Sequence, residues 1–294
     1  MRGRVLGYGG YVERGREEWV DVGVGRLWTV TAGRGVPLVL CHGGPGAYDY
    51  LGPVAGMLED MAEVHRFDQR GGGRSTPSGP WTLQALIDDL ELLRRHWSHE
   101  RWVVVGHSWG AHLALLYALA HPEHALGVVF LNGTGLRWGW GAERRATRMT
   151  RLTGSEQAEV ARLEAVADTD EMAQARLRDL WWLTDFADRR NAERTRRFAD
   201  YPTARSVAAA LERDWEGALD EIDDRANRLS LPVLVLHGEA DPVGERGPRE
   251  VARILPKARF VSLRAVGHVP WLEDASELRH HVRTFVTECA QLGR

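Results

Sequence analysis

Trp102-Val103-Val104-Val105-Gly106-His107-Ser108-Trp109-Gly110-Ala111 is the stretch on which the reading of this chain turns. A four-residue apolar run opens it, a Gly-x-Ser-x-Gly pentapeptide follows, and the helix-forming stretch Ala111 to Ala120 comes next. That order predicts a buried strand, a sharp turn and a helix, with the Ser108 hydroxyl held at the mouth of a sheet. Glycines two residues either side of the serine suit such a turn, because it brings backbone segments too close for a Cβ. In a chain with 32 glycines the pentapeptide could arise by chance, so its strand-and-helix context carries the argument.

Outward from the serine, short β-like runs alternate with helical patterns, which predicts a mostly parallel sheet covered on both faces. The expected strands are Glu18–Gly23, Leu27–Thr31, Pro37–Cys41, Val64–Asp68, Trp102–Val105, Leu126–Leu131, Pro232–Leu236 and Ala258–Leu263. The first two form a hairpin turning at Val24-Gly25-Arg26, and helices are expected near Leu51–Ala62, over Leu83–Trp97 and over Ser276–Cys289. Between Leu136 and Arg228 the alternation stops and only helical signals remain, with five of the twelve tryptophans: Trp138, Trp140, Trp181, Trp182 and Trp215. An α-helical insertion at this point reads as a cap over the strand C-terminal ends, where open α/β sheets bind ligands. The expected organisation is a core over residues 1–135, a helical cap over 136–228 and the rest of the core over 229–294.

Composition narrows the function. A net charge of −3 argues against a nucleic-acid partner. Cys41 and Cys289 offer neither a disulfide framework nor zinc-type spacing, and Lys257 is the only lysine. Met1 to Gly10 has no apolar signal core, and no run of 18 apolar residues occurs, so a soluble cytoplasmic protein with no membrane partner is expected. Oligomeric state is left open. Gly133-Thr134-Gly135-Leu136-Arg137-Trp138-Gly139 places its last glycine one residue late for a dinucleotide fingerprint, and Gly71-Gly72-Gly73-Arg74-Ser75 lacks the P-loop lysine. No cofactor is expected. His96-x-x-His99 and His121-x-x-His124 have no acidic partner at metal spacing in the sequence, so both read as solvated histidines and no metal is expected.

A serine hydroxyl needs a base to take its proton and a group to orient that base. Asp241 follows an apolar strand in His237-Gly238-Glu239-Ala240-Asp241-Pro242, and His268 follows the last strand in Val266-Gly267-His268-Val269-Pro270. Glu239, nearer the strand end, is the weaker candidate for the acid. The order Ser108, Asp241, His268 is that of a triad carried on the C-terminal edge of such a sheet. Oxyanion donors are expected from the backbone N–H of Trp109 and from the loop His42-Gly43-Gly44-Pro45-Gly46, chiefly Gly44.

These motifs, with Phe67-Asp68-Gln69-Arg70-Gly71-Gly72-Gly73-Arg74-Ser75, resemble the prolyl aminopeptidase (proline iminopeptidase) branch of the α/β-hydrolases over about residues 20–135 and 230–290. The resemblance implies an α/β-hydrolase fold, a mostly parallel eight-stranded sheet with helices on both faces and an inserted helical cap. It also implies that Asp68 and Arg70 brace the loop behind the nucleophile. The peptidases of this branch hold the substrate's amino terminus with cap acids and an arginine. Glu216, in Trp215-Glu216-Gly217, matches the first acidic element and is a candidate ammonium ligand, with Trp215 beside it. Asn132 stands where the arginine would be and is itself a candidate substrate contact, and the segment bearing a second glutamate is absent. The expected function is therefore a cofactor-independent serine hydrolase acting on an ester or amide of a small molecule or short peptide. A prolyl aminopeptidase, and a triad-bearing biosynthetic or ligand-binding protein without general hydrolase activity, are the alternatives.

Overall fold

The structure, a computed structural model, describes residues 15–137, 140–195 and 204–292. Met1 to Gly10, Trp138, Gly139 and the side chain of Trp140 fall outside the described residues. Eight strands form one sheet: β1 (Arg16–Asp21), β2 (Arg26–Gly33), β3 (Val36–Cys41), β4 (Ala62–Phe67), β5 (Trp102–His107), β6 (Ala125–Leu131), β7 (Val233–Gly238) and β8 (Ala258–Leu263). Their order is β1-β2-β4-β3-β5-β6-β7-β8. β1, β2 and β4 pair antiparallel, and every pairing from β4 to β8 is parallel.

Side-chain alternation sorts the strands onto two cores. Val39, Cys41, Phe67, Trp102, Val104, Val128, Phe130, Val233 and Val235 face one way, against α2 (Leu83–His96) and α3 (Trp109–Ala120). Leu38, Leu40, Val64, Val103, Val105, Val129, Leu131, Leu234 and Leu236 face the other, against α1 (Gly52–Gly56) and α10 (Ser276–Leu292). The central parallel strands β3, β5, β6 and β7 are buried on both faces, which is why they read as continuous apolar runs.

Three local expectations shift. The first hairpin turns two residues early, because Asp21 Oδ1 accepts the Gly23 N–H at 2.7 Å and Gly23 takes φ +82°. The helix expected near Leu51–Ala62 is only Gly52–Gly56; Gly56 weakens it, and a series of turns leads into β4 at Ala62. An unanticipated helix, α9 (Arg246–Ile254), begins at Arg246-Gly247-Pro248, punctuation that reads as loop although proline fits a first helical turn.

The insertion after β6 is helical: α4 (Trp140–Thr150), α5 (Gly154–Glu164), α6 (Glu171–Thr184), α7 (Arg189–Arg194) and α8 (Arg205–Ala226). Thr153 and Glu156 cap α5 reciprocally, Asp170 caps α6 and Asp188 caps α7. Leu152, Val160, Ala167, Leu177 and Leu180 make a small core of their own. α8 instead joins the main core through Val207, Leu211, Trp215, Ile222 and Ala226, one stripe at helical spacing. No helix among the described residues is long and apolar enough to cross a membrane.

Candidate active site

Ser108 follows β5 at φ +56° and ψ −122°, and α3 starts at the next residue. The turn closes on glycine at both flanks. A Cβ on Gly106 would fall 1.9 Å from the Gly110 carbonyl oxygen, and one on Gly110 would fall 2.0 Å from that of Cys41. Ser108 N–H donates to Leu131 O at 2.9 Å, which ties the elbow to the end of β6. A non-glycine residue held at positive φ is costly and marks a built site.

His268 and Asp241 meet from the loops after β8 and β7. His268 Nδ1–H donates to Asp241 Oδ2 at 2.7 Å with both residues buried, leaving Nε2 as the nitrogen able to take a proton. Asp241 is held from three sides: Val243 N–H on Oδ1 at 2.8 Å, and Asn132 Nδ2 on Oδ2 at 2.8 Å beside His268. Burial opposes ionisation of Asp241, but His268, His237 and the Val243 N–H together hold its carboxyl far below the usual carboxylate range.

Asn132 sits at φ +48° and is fully buried. Its second bond, Nδ2 to Gly267 O at 2.9 Å, reaches the residue before His268. It does not line the cavity over Ser108; it sits behind the acid and fixes both loops. That placement differs from the substrate contact expected for it.

A second network runs behind the serine. Gly43 N–H donates to Tyr50 Oη at 2.8 Å, and Tyr50 Oη is 2.7 Å from His107 Nδ1. His107 Nε2 is 2.7 Å from His268 O. A carbonyl can only accept, so Nε2 carries the proton and Nδ1 accepts from Tyr50. Burial, helped by the His268 charge, pushes the His107 pKa well down and keeps the ring neutral. The chain of bonds links the Gly43-Gly44 loop to the backbone of the candidate base.

Gly44 and Trp109, the candidate oxyanion donors, both lie beside Ser108. Trp109 is the first residue of α3, where a backbone N–H has no intrahelical acceptor. Gly44, at φ +62°, lines the cavity with Ser108 and Trp109. Asp68 is tied to the segment that follows Gly44, whereas Arg70 ties its own loop to α2. Asp68 accepts from Asp49 N–H at 2.6 Å and from Arg74 Nε at 2.6 Å, while Arg70 pairs bidentately with Asp89 at 2.7 and 2.5 Å. Between them Gln69 clasps His42, its N–H on His42 Nε2 at 3.1 Å and its Nε2 on His42 O at 2.7 Å.

The cavity over Ser108 measures about 240 Å³ and is walled by Trp109, Trp215, Pro45 and Ala208, with Arg144 and Glu212 as its charged residues. Trp215 is buried and anchored by its Nε1–H on Leu136 O at 3.1 Å. Glu216, the acid singled out in the sequence, is exposed and outside the lining. Successive helical residues turn by about 100°, so Trp215 pointing inward carries Glu216 away, whereas Glu212 and Ala208 share its face. Glu212 and Arg144 are the charged lining residues the sequence reading missed. The signal for Glu212 was the α8 stripe Val207, Leu211, Trp215; Arg144, on α4, had none.

The cap is also fastened to the loop bearing His268. Asp185, at the end of α6, accepts the His268 N–H on its backbone oxygen at 2.7 Å. Its carboxylate pairs with Arg148 at 2.5 Å and Arg144 at 3.5 Å. Glu273 accepts Gly267 N–H at 2.6 Å on one oxygen and the cap N–H groups of Ala187 and Asp188 at 2.9 and 3.2 Å on the other.

The alpha/beta hydrolase fold family matches residues 36–275, well over half of the sequence. The chain belongs to that family. Within it, the proline iminopeptidase of Xylella fastidiosa (strain 9a5c) is 39% identical over 120 residues, 35% of this chain and 36% of the relative. That of Arabidopsis thaliana is 39% identical over 98 residues, 32% of this chain and 26% of the relative. The chain thus spans about a third of the length of the curated relatives it matches. A solved proline iminopeptidase-related protein from Thermus thermophilus superposes with a TM-score of 0.72 at 25% identity, covering 94% of this chain and 98% of that one. The proline iminopeptidase of Mycobacterium smegmatis gives 0.71 at 21% identity, over 95% and 100%, a likeness of fold. This alpha/beta hydrolase is related to the proline iminopeptidases by sequence.

Proposed function

We propose that this alpha/beta hydrolase is a cofactor-independent serine hydrolase that cleaves an ester or amide of a small molecule or short peptide. The observation that carries the reading is the buried 2.7 Å bond between His268 Nδ1 and Asp241 Oδ2, on loops tied to the elbow of Ser108. In this mechanism Ser108 Oγ attacks the carbonyl carbon while His268 Nε2 takes its proton. Asp241 keeps the imidazole in its Nδ1–H tautomer and stabilises the imidazolium. The N–H groups of Gly44 and Trp109 hold the oxyanion. The imidazolium then protonates the leaving group, and water, activated by the same nitrogen, releases the acyl group and restores Ser108.

Labelling by a fluorophosphonate probe tests the reading. Wild-type protein should label and Ser108→Ala should not, with turnover of p-nitrophenyl esters reduced by several orders of magnitude. Near wild-type turnover in Ser108→Ala, or no labelling of the wild type, would remove the serine mechanism and leave a ligand-binding role.

A second reading, a prolyl aminopeptidase, draws on two observations: the named relatives, and the Glu212 carboxylate at the cavity, where an ammonium group entering between tryptophans needs a charged partner. Turnover of proline p-nitroanilide against p-nitrophenyl esters separates the two. We expect the ester to be the better substrate, because Asn132 is withdrawn behind Asp241 and offers no charge to the cavity.

A further inference from the structure

Of the two His-x-x-His pairs set aside for want of an acidic partner, His121 and His124 meet one together, while His99 parts from His96 and joins a cluster of its own. Glu63 comes to His65 and His99, and Glu91 comes to His121 and His124. The second cluster suits a cation poorly. Glu91 already receives Arg94 at 2.6 Å, Arg95 at 2.7 Å and the Tyr117 hydroxyl at 3.0 Å, so its charge is spent on two guanidiniums. The first cluster is different, and its ligand atoms converge. His65 Nε2 and His99 Nε2 face each other at 2.8 Å, and Glu63 Oε2 is 3.9 Å from His99 Nε2.

We propose that Glu63, His65 and His99 form a binding site for a transition-metal dication of the zinc type. Two imidazole nitrogens and one carboxylate are a donor set for Zn²⁺ rather than for Mg²⁺ or Ca²⁺, which prefer oxygen. Glu63 and His65 lie two apart on β4 and therefore share its face, the one toward α2. His99 arrives from the loop between α2 and β5, after Ser98 at φ +59°.

The orientation of His65 is prepared for this duty. Its Nδ1 lies 2.9 Å from Thr31 Oγ1, and its ring stacks on Trp97 with centroids 4.0 Å apart. With Thr31 accepting from Nδ1–H, Nε2 is left bare to ligate, the arrangement in which an outer hydrogen bond fixes a ligand's tautomer. A tetrahedral ion with Zn–N bonds of about 2.0–2.1 Å sets neighbouring ligand atoms roughly 3.3 Å apart. The two rings must therefore part by about half an ångström, and Glu63 must close by about as much. His99 on its loop and the Glu63 side chain, 39% exposed, can both move. Solvent on the Glu63 side supplies water for the fourth position. The site is remote from catalysis: β4 is two strands from β5, and His65 lies level with Val104, four residues short of Ser108. That separation is roughly 15 Å. Its effect would be structural, pinning the α2–β5 loop to β4.

The test is a calorimetric titration of the full chain with ZnCl₂ after chelator treatment, in a non-coordinating buffer. We expect one saturable site per chain and a higher melting temperature with Zn²⁺ than with EDTA. Co²⁺ at the same site should give the visible absorption of tetrahedral coordination. His99→Gln and Glu63→Gln should each weaken binding tenfold or more, and Thr31→Val by about tenfold through the outer bond. His121→Gln should leave it unchanged. Glu63 is half-exposed, so Glu63→Gln carries the test if His99→Gln fails to fold. The proposal is overturned if no stoichiometric site appears, if Glu63→Gln binds like wild type, or if His121→Gln abolishes the uptake.

Discussion

Replacing Asn132 by glycine separates two roles that one residue could play. Asn132 holds φ +48°, a conformation glycine adopts without cost, so Asn132→Gly removes the side chain and leaves the backbone at rest. What is lost is the donor to Asp241 Oδ2 at 2.8 Å and the donor to Gly267 O at 2.9 Å. A hydrogen bond to a buried charge is worth about 1.5–3 kcal/mol. If that stabilisation is felt only when His268 becomes imidazolium and leans on Asp241, kcat falls by roughly tenfold to 150-fold. The side chain does not line the cavity, so KM for a p-nitrophenyl ester should stay within about twofold of wild type. Thermal unfolding should also show a loss of about 1–3 kcal/mol, because Gly267 O is left without this donor. Steady-state kinetics on protein confirmed folded by circular dichroism decide the matter. A raised KM with kcat unchanged would refute the positioning role and place Asn132 against substrate.

Tyr50→Phe breaks the bonds to Gly43 N–H and His107 Nδ1 together, and should lower kcat for ester hydrolysis about threefold to tenfold with KM little changed; wild-type kinetics would show that the network only fills space. Glu212→Gln should raise KM for cationic, amine-bearing substrates about tenfold and leave neutral esters alone, while Glu216→Gln, on the exposed face, should do neither; the reverse pattern would place the wrong face of α8 in the cavity. Acid should destabilise the fold before its carboxylates protonate. Burial pushes the His112 pKa down to about 3, while in the unfolded chain the ring titrates near ~6.5. Below that pH the unfolded chain binds a proton that the folded chain refuses, so stability is whole above ~6.5 and falls until the folded ring takes up its own proton. His112 alone removes about 2 kcal/mol by pH 5. Burial moves His42, His107 and His237 in the same direction, and urea midpoints that do not fall between pH 7.5 and pH 5 would contradict this.

What was legible in the sequence was what is local along the chain. A strand buried on both faces is an apolar run, and Ser108 and Asp241 each stand a few residues beyond one, while His268 follows the half-buried edge strand β8, so each could be placed by its neighbours. The His42–Gly46 and Phe67–Ser75 loops were legible for the same reason. Partners far apart in sequence were not. Asn132 meets Asp241 across 109 residues, Tyr50 meets His107 across 57, and Glu63 on β4 reaches His99 on the loop after α2. In each case the residue types were visible, but the contact exists only once the sheet order is known.

The cap shows a subtler limit, one of phase rather than distance. α8 is a helix by any reading, yet its use depends on which of its faces meets the core. Trp215 settles that: it is buried against Trp109 and His112, with ring centroids 6.0 and 4.8 Å away, and its Nε1–H is held by Leu136 O. Once Trp215 is inward, the acid one residue later must leave the cavity and the acid three residues earlier must approach it. A motif match aligns Glu216 with a family position; the packing of one tryptophan gives Glu212 its place. The charge that a substrate meets in this cavity therefore follows from a core contact, so a change at Trp215 that rotated α8 would alter specificity without touching any charged residue.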